Sequence, residues 1–145
     1  MNGALRVIEI DTVDVKVAAE LAAIHEESAT AAYAHIFDSP FPRQDTQTRW
    51  ATYTGRVALA QSHDHTVGFV AWQDDELDAL YVRPEAAGKG VGTALLGTAT
   101  NTTRLWVLEA NTHARRFYEL SGWHASGRAR SVWEGANELE YRRRR

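Results

Sequence analysis

Three glycines stand at every second position in "RPEAAGKGVGT" (Arg83–Thr93), and a helix-like run, "TALL", begins at the last of these residues. A strand, a glycine-rich turn and a helix N-terminus together can hold a phosphate, because unpaired N–H groups point outward and the helix dipole adds positive charge. The spacing of Gly88, Gly90 and Gly92 fits neither G-x-x-x-x-G-K-[ST] nor G-x-G-x-x-G. The pattern alone leaves a phosphate-binding loop and a glycine-rich surface turn as interpretations.

A second candidate pair lies in "LWVLEANTHARRFYELSGW" (Leu105–Trp123). The pattern predicts a strand and then a helix, with Asn111 at the helix start and Tyr118 seven residues later on the same helical face. Capping alone explains an asparagine at a helix start, and Tyr118 is equally consistent with a core position.

Two carboxylates that could accept a proton lie in "ELDALYV" (Glu76–Val82), which reads as a strand. A period of two places Glu76, Asp78, Leu80 and Val82 on one face. A general base at this strand would be Glu76, Asp78 or a bound water, while Glu76 is equally consistent with a solvated residue at a strand start.

The early helix offers polar residues that either face solvent or contact a substrate. A carboxylate-rich site would favour a cationic substrate through charge complementarity. The candidates are His25, Glu26, Glu27, Tyr33 and His35.

The chain offers little for a metal ion. His63 and His65 flank Asp64 in a polar turn, and a hairpin turn without a fourth partner is more simply a solvated loop. We predict no metal site.

Composition bounds the class of protein. A chain of 145 residues fits one domain over residues 1–145, and the absence of cysteine removes disulfides and cysteine nucleophiles. The net charge of −3 does not favour a nucleic-acid partner. The sequence shows no apolar run of membrane-spanning length and no secretory signal, so we expect a cytoplasmic protein that does not bind membranes.

Periodicity gives the order of elements. A strand over Leu5–Ile10, a helix from Val15 to about Ala32 and a helix over Thr46–Tyr53 precede three strands joined by short turns. The glycine loop and a short helix follow, then a strand, the Asn111 helix and two closing strands, the first read in "WHASG" (Trp123–Gly127). The order β-α-α-β-β-β-α-β-α-β-β predicts a mixed α/β sheet with helices on its faces.

These residues resemble the GNAT superfamily of acyl-CoA-dependent N-acyltransferases. "LDALYVRPEAAGKGVGTALL" resembles the family's motif A, "LWVLEANTHARRFYELSGW" resembles its motif B, and "GANELEYRR" is similar to its final strand. The resemblance implies a central sheet that splays between strands 4 and 5, where acetyl-CoA, the co-substrate, binds.

The resemblance also implies roles for individual residues. A bulge in the fourth strand, at Leu80, Tyr81 and Val82, would bind the pantetheine arm and the thioester carbonyl. Asn111 would hydrogen-bond to the pantetheine portion of the co-substrate, and Tyr118 would give a proton to the departing thiolate. The pyrophosphate would lie on the loop formed by Ala87, Gly88, Lys89, Gly90, Val91, Gly92 and Thr93.

One position departs from the family pattern Q/R-x-x-G-x-G/A, because Ala87 stands where Arg or Gln is usual. Binding would then rest on backbone amides, Lys89 and Thr93. The expected function is transfer of an acetyl group from acetyl-CoA to a primary amine of a small molecule or peptide, by direct attack in a ternary complex. The alternative is a non-catalytic acyl-CoA-binding or regulatory module.

The closing residues allow two further predictions. Exposed strand edges near the C-terminus would be protected from aggregation by the charges of the tail or by pairing in a homodimer. The run Arg142–Arg145 reads as a solvated tail, with contact to an anionic partner as the alternative.

Overall fold

The computed structural model describes residues 4–33, 40–133 and 136–144, in which seven strands form one sheet. The strands are β1 (Arg6–Ile10), β2 (Arg56–Ser62), β3 (His65–Gln73), β4 (Glu76–Val82), β5 (Arg104–Leu108), β6 (His124–Trp133) and β7 (Ala136–Arg142). The helices are α1 (Val15–Tyr33), α2 (Arg43–Ala51), α3 (Val91–Thr98) and α4 (Thr112–Leu120), and a 3-10 turn (Pro84–Ala86) precedes α3. No helix in these ranges has the length and hydrophobicity that a membrane crossing requires.

The strand order is β1-β2-β3-β4-β5-β7-β6, and every neighbouring pair is antiparallel except β4 and β5, which are parallel. β4 and β5 pair at Glu76 with Arg104 and at Leu77 with Leu105, and then separate. The predicted mixed sheet, its order of elements and its splay between strands 4 and 5 are confirmed.

Helices cover both faces of the sheet and build two cores. On one face, Ile24 of α1 and Trp50 of α2 pack with Phe69 of β3. On the other, Leu95 of α3 and Tyr118 of α4 pack in a second core. Complete burial of each such side chain contributes about 1.5–3 kcal/mol, so the two cores fix both helix layers against the strands that carry the site.

A bulge in β4 divides its side chains between the two faces. The register with β3 shifts so that Asp78 has no cross-strand partner in the pairing. Leu80 and Val82 pack in the α3–α4 core, whereas the Asp78 carboxylate accepts a hydrogen bond from the Tyr53 hydroxyl on the α1–α2 face (2.7 Å). The predicted shared face for the even-numbered residues of β4 is therefore wrong, and the bulge lies at Asp78 rather than at Leu80–Val82.

Element boundaries differ from prediction mainly at turn residues. α2 begins at Arg43 rather than Thr46. Pro42 is its N-cap, and the Pro42 carbonyl accepts the first hydrogen bond of the helix, from the Thr46 N–H (3.0 Å). β6 continues through Gly127, whose positive φ of 97° lies where the pairing with β7 is irregular. Gly127 thus interrupts the ladder without ending the strand.

The C-terminal arginines are not simply a solvated tail. Arg142 belongs to β7 and pairs with Glu140, while Arg143 packs over the Trp123 ring at 4.5 Å. The Arg143 guanidinium donates to the carbonyls of Thr102 (2.8 Å) and Ala99 (2.9 Å), just beyond the end of α3. Arg143 therefore holds the C-terminus of α3 against the sheet, and the tail prediction is wrong for these two arginines.

Replacing Arg143 with alanine should destabilise the fold by about 2–3 kcal/mol, since charge-assisted hydrogen bonds are lost and partly buried carbonyls lose their donor. Urea unfolding measures this free energy. Arg144→Ala is the matched control, because Arg144 is exposed, and its free energy of unfolding should stay within about 0.5 kcal/mol of the wild type. Equal stability of the two variants would contradict the role of Arg143.

Candidate active site

The separation of β4 and β5 opens a cleft of about 1210 Å³ through the sheet. Its volume is somewhat larger than the roughly 300–1,000 Å³ that is usual for ligand pockets. The cleft is lined from α1, α2, β4, β5, α4 and the β6–β7 hairpin. The lining side chains include His25, Tyr33, Arg49, Glu76, Asp78, Leu80, Tyr81, Trp106, Asn111, Tyr118, Arg130 and Glu138.

The glycine loop adopts a conformation that only glycine enters easily. Gly88 and Gly90 have φ of 76° and 81°, and Gly90 is the N-cap of α3. The N–H of Ala94 bonds the Gly90 carbonyl, so the helical ladder starts there. The amides of residues 88–93 have no acceptor among the described residues, whereas the Ala87 N–H donates to the Pro84 carbonyl (3.1 Å). Six adjacent amides, but not that of Ala87, are therefore available to an anion.

The loop and the cleft meet at Gly92. A Cβ at Gly92 would lie 3.3 Å from the Phe117 ring of α4 and 3.8 Å from the Leu80 side chain of β4. A side chain at Gly92 would require the Phe117 ring to shift by a few tenths of an ångström, so glycine favours this close approach of α3 to α4. Because Leu80 lines the cleft, this contact places the first turn of α3 next to the cleft wall.

Tyr118 carries a hydroxyl that is available within the cleft. The residue is 7% exposed, and its ring packs edge-on to Phe117 and Trp123. No residue that the structure describes hydrogen-bonds this hydroxyl. Burial, with smaller effects from Tyr81 and Tyr33, raises the pKa of Tyr118 above its ordinary value. The phenol therefore stays protonated at neutral pH and can act as a donor.

Asn111 joins the two sides of the cleft. Its side-chain oxygen accepts from the Ala114 N–H (3.1 Å) and caps α4, while its amide nitrogen donates to the Tyr33 hydroxyl at the end of α1 (3.1 Å). Capping, left open by the sequence, is confirmed. One amide hydrogen of Asn111 is left for a ligand.

Glu76 stands where β4 and β5 begin to separate. Its carboxylate pairs with Arg104 (3.1 Å), and its side chain is 29% exposed. Burial, with Asp78 adding and Arg104 opposing, raises the pKa of Glu76. Asp78 is held differently, since its carboxylate accepts from Tyr53 (2.7 Å) and Gln73 (3.0 Å).

The other acidic candidates lie elsewhere. Glu26 pairs with Arg43 (2.6 Å) and Glu27 pairs with Arg83. Both glutamates line a separate groove between α1, α2 and the 3-10 turn. The helical period explains this, because His25, Ala29 and Tyr33 form the stripe of α1 that faces the cleft. The candidate His35 lies outside the described residues.

His25 is a neutral member of the cleft wall. Its ring stacks on Tyr81 with 4.2 Å between centroids, and its Nδ1 accepts from the Trp50 indole N–H (3.0 Å). Burial, assisted by the charge of Arg49, lowers the pKa of His25 to about 4. The imidazole therefore carries its proton on Nε2 at neutral pH.

Sequence reasoning missed four side chains of the cleft: Arg49, Trp106, Arg130 and Glu138. Arg49 and Arg130 lie outside the quoted motifs, and the motif stretches that contain Trp106 and Glu138 do not show which side chains face the cleft. The one available signal was the arginine beside a tryptophan, Arg49–Trp50, which gives a cation–π contact at 4.7 Å.

Comparison with known proteins gives the family. Residues 53–125 match the acetyltransferase (GNAT) domain, which is half of the chain. The chain belongs to the GNAT family of acetyltransferases, and the predicted family membership is confirmed.

Individual relatives agree with this. An uncharacterized N-acetyltransferase of Methanocaldococcus jannaschii is 31% identical over 60% of this chain and 64% of its own. The peptidyl-lysine N-acetyltransferase YjaB of Salmonella typhimurium is 34% identical over 46% of this chain and 48% of its own. The chain thus spans about half to just under two thirds of these relatives.

A solved structure agrees in fold. The crystal structure of the PaiA N-acetyltransferase of Thermoplasma acidophilum in complex with coenzyme A superposes with a TM-score of 0.73 at 17% identity. The match covers 97% of this chain and 99% of that one, so the resemblance extends over the whole sheet and both helix layers.

Proposed function

We propose that this protein transfers the acetyl group of acetyl-CoA to a primary amine by direct attack in a ternary complex. The observation that carries the proposal is one cleft with a carboxylate of raised pKa, Glu76, and a protonated hydroxyl without a partner among the described residues, Tyr118. Such a transfer requires one group that accepts a proton and another that donates one, with pKa values set apart by their environments.

The cofactor side of the proposal rests on the free amides of residues 88–93 at the N-terminus of α3. These groups fit a pyrophosphate, because they supply several N–H donors and the positive end of a helix dipole without a side-chain charge. Asn111 would donate a hydrogen bond to the pantetheine arm through its remaining amide hydrogen. Acetyl-CoA would supply an acetyl thioester to the cleft.

The residues of the chain then have distinct tasks. Glu76, directly or through water, takes the proton of the amine, and the amine nitrogen bonds the acetyl carbon as the carbon–sulfur bond breaks. Tyr118 gives its proton to the leaving sulfur. Backbone N–H groups among Leu80, Tyr81 and Val82, beyond the last pairing with β5, would meet negative charge that develops on the carbonyl oxygen.

The amine class follows from the family and its relatives. One matched relative bears the name peptidyl-lysine N-acetyltransferase, and one superposed structure contains coenzyme A. The name of the first supports a primary amine as the acceptor for this chain, and the second supports CoA as the carrier.

The second candidate is an acyl-CoA-binding module without turnover. Ala87 favours this module, because its side chain carries no charge for a phosphate and its N–H already donates to the Pro84 carbonyl. A free-thiol release assay with acetyl-CoA and pooled amines separates the two. Amine-dependent thiol release establishes the transferase. CoA binding by calorimetry without any release establishes the module.

Glu76→Gln should lower kcat/KM by about a hundredfold near neutral pH, since general-base catalysis contributes about 10²–10⁴. In the wild type the base must be ionised, so kcat/KM should fall as the pH drops through the raised pKa of Glu76 and stay high above it. The thiol-release rate against pH measures both effects. Glu26→Gln is the matched control, because Glu26 lies in the separate groove and should leave the profile unchanged. A Glu76→Gln profile that keeps the wild-type acid limb would assign the base elsewhere.

A further inference from the structure

Arg49 brings a positive charge to the acceptor side of the cleft. Its guanidinium stacks over the Trp50 ring at 4.7 Å and donates to the main-chain carbonyl of Asp78 (3.3 Å). Its positive charge also lies near His25 and Tyr81, where it acts to lower the pKa of each. The side chain is thus held at the bulge of β4 by neutral partners.

The other arginines near the cleft differ from Arg49. Arg130 pairs with Glu138 (2.8 Å) and Arg104 pairs with Glu76 (3.1 Å). Arg49 forms no ion pair with a carboxylate of the described residues. His25 adds no charge at neutral pH, since its pKa is lowered. Among the described lining residues of the cleft, Arg49 is the cation whose charge is not matched.

We propose that Arg49 binds the carboxylate of an acceptor that carries its amine and carboxylate together, which makes an amino acid the substrate class. This inference rests on the proposed acetyl transfer to an amine. The amine would lie at Glu76 and the carboxylate at the guanidinium, which presents several donors to an anionic oxygen pair.

The spacing along β4 suits a small amphoteric molecule. Arg49 is anchored on Asp78, two residues after Glu76, which is on the order of 7 Å along a strand. A molecule with an amine at one end and a carboxylate a few bonds away spans such a gap. Diamines fit less well, because their second ammonium would face Arg49. Glu26 and Glu27 line the separate groove, so they add no negative charge to the cleft.

The test compares matched amines that differ by one carboxylate: L-phenylalanine against 2-phenylethylamine, and L-lysine against cadaverine. For each pair, the ratio of kcat/KM values is measured by thiol release in the wild type, Arg49→Ala and Arg49→Lys. The wild type should prefer the carboxylated member by roughly tenfold or more, and Arg49→Ala should abolish the preference, because a charge-assisted hydrogen-bonded pair is lost. Arg49→Lys should keep part of it.

Because the ratio is formed within one variant, a partial loss of folded protein cancels. Arg43→Ala is the matched control on the same helix, since Arg43 pairs with Glu26 in the separate groove, and it should keep the wild-type ratio. Equal rates for both members in the wild type, or a preference that survives Arg49→Ala, would overturn the inference while leaving acetyl transfer established. If no amine releases thiol, the proposed function fails. Calorimetry of the same pairs with CoA present then tests the role of Arg49, through the ratio of the two dissociation constants in each variant.

Discussion

Tyr118→Phe should lower kcat by about a hundredfold, which is the lower range for general acid–base catalysis. The dissociation constant of CoA should stay unchanged, because the phenylalanine ring preserves the packing against Phe117 and Trp123 and only the hydroxyl is removed. Single-turnover thiol release measures the chemical step, and calorimetry measures CoA binding. A loss in kcat without a loss in binding is the signature of an interaction made in the transition state.

The pH dependence sharpens this expectation. Burial raises the pKa of Tyr118, so the wild type should show no loss of its acid up to the ordinary tyrosine pKa of about 10. Tyr141→Phe is the matched control. Its hydroxyl bonds Arg115 and Glu119 and lies outside the cleft lining, so its removal should affect stability and not kcat. Wild-type rates for Tyr118→Phe at every pH would exclude the phenol as the acid.

Local pattern was enough to predict the order of the elements and the position of the glycine loop. Period-two alternation gave β4 its observed bounds, and the glycine spacing placed the loop before α3. The Asn111 to Tyr118 spacing predicted two side chains of one helical face, and both line the cleft. These features depend on residues close together in sequence, where backbone preference and helical period act directly.

The acceptor side depends on long-range packing, which local pattern does not contain. The bulge at Asp78 follows from the register of β4 against β3, so alternation within β4 does not show it. Arg49 reaches the cleft because Trp50 fills the core beneath α2. Arg143 reads as part of a charged tail, yet it satisfies carbonyls at the end of α3, more than 40 residues earlier in the chain.

The largest expected effect on CoA binding comes from Gly90, the N-cap of α3. A Cβ there meets nothing within 4 Å, so side chains fit, and Asn and Asp tolerate the positive φ better than other residues. Gly90→Asp places a carboxylate among the free amides. Two like charges about 4 Å apart repel by about 4 kcal/mol near a protein surface. CoA affinity should therefore fall by roughly a hundredfold or more, while Gly90→Asn, of equal size, should bind within about tenfold of the wild type.

Gly90→Asp should not lower the stability of the protein without CoA, although it weakens CoA binding. This difference distinguishes charge repulsion from damage to the fold. A carboxylate at a helix N-terminus is stabilising by about 0.3–1 kcal/mol, so Gly90→Asp should unfold at a temperature no lower than Gly90→Asn without CoA. With CoA, the thermal shift of Gly90→Asp should vanish, because the shift depends on ligand concentration over its dissociation constant. Gly97→Asp puts the same charge on the exposed surface of α3, farther along the helix, and should keep the wild-type shift. A full shift for Gly90→Asp would remove the loop from the CoA site, and equal loss in Gly90→Asp and Gly90→Asn would point to backbone conformation rather than an anion held by free amides.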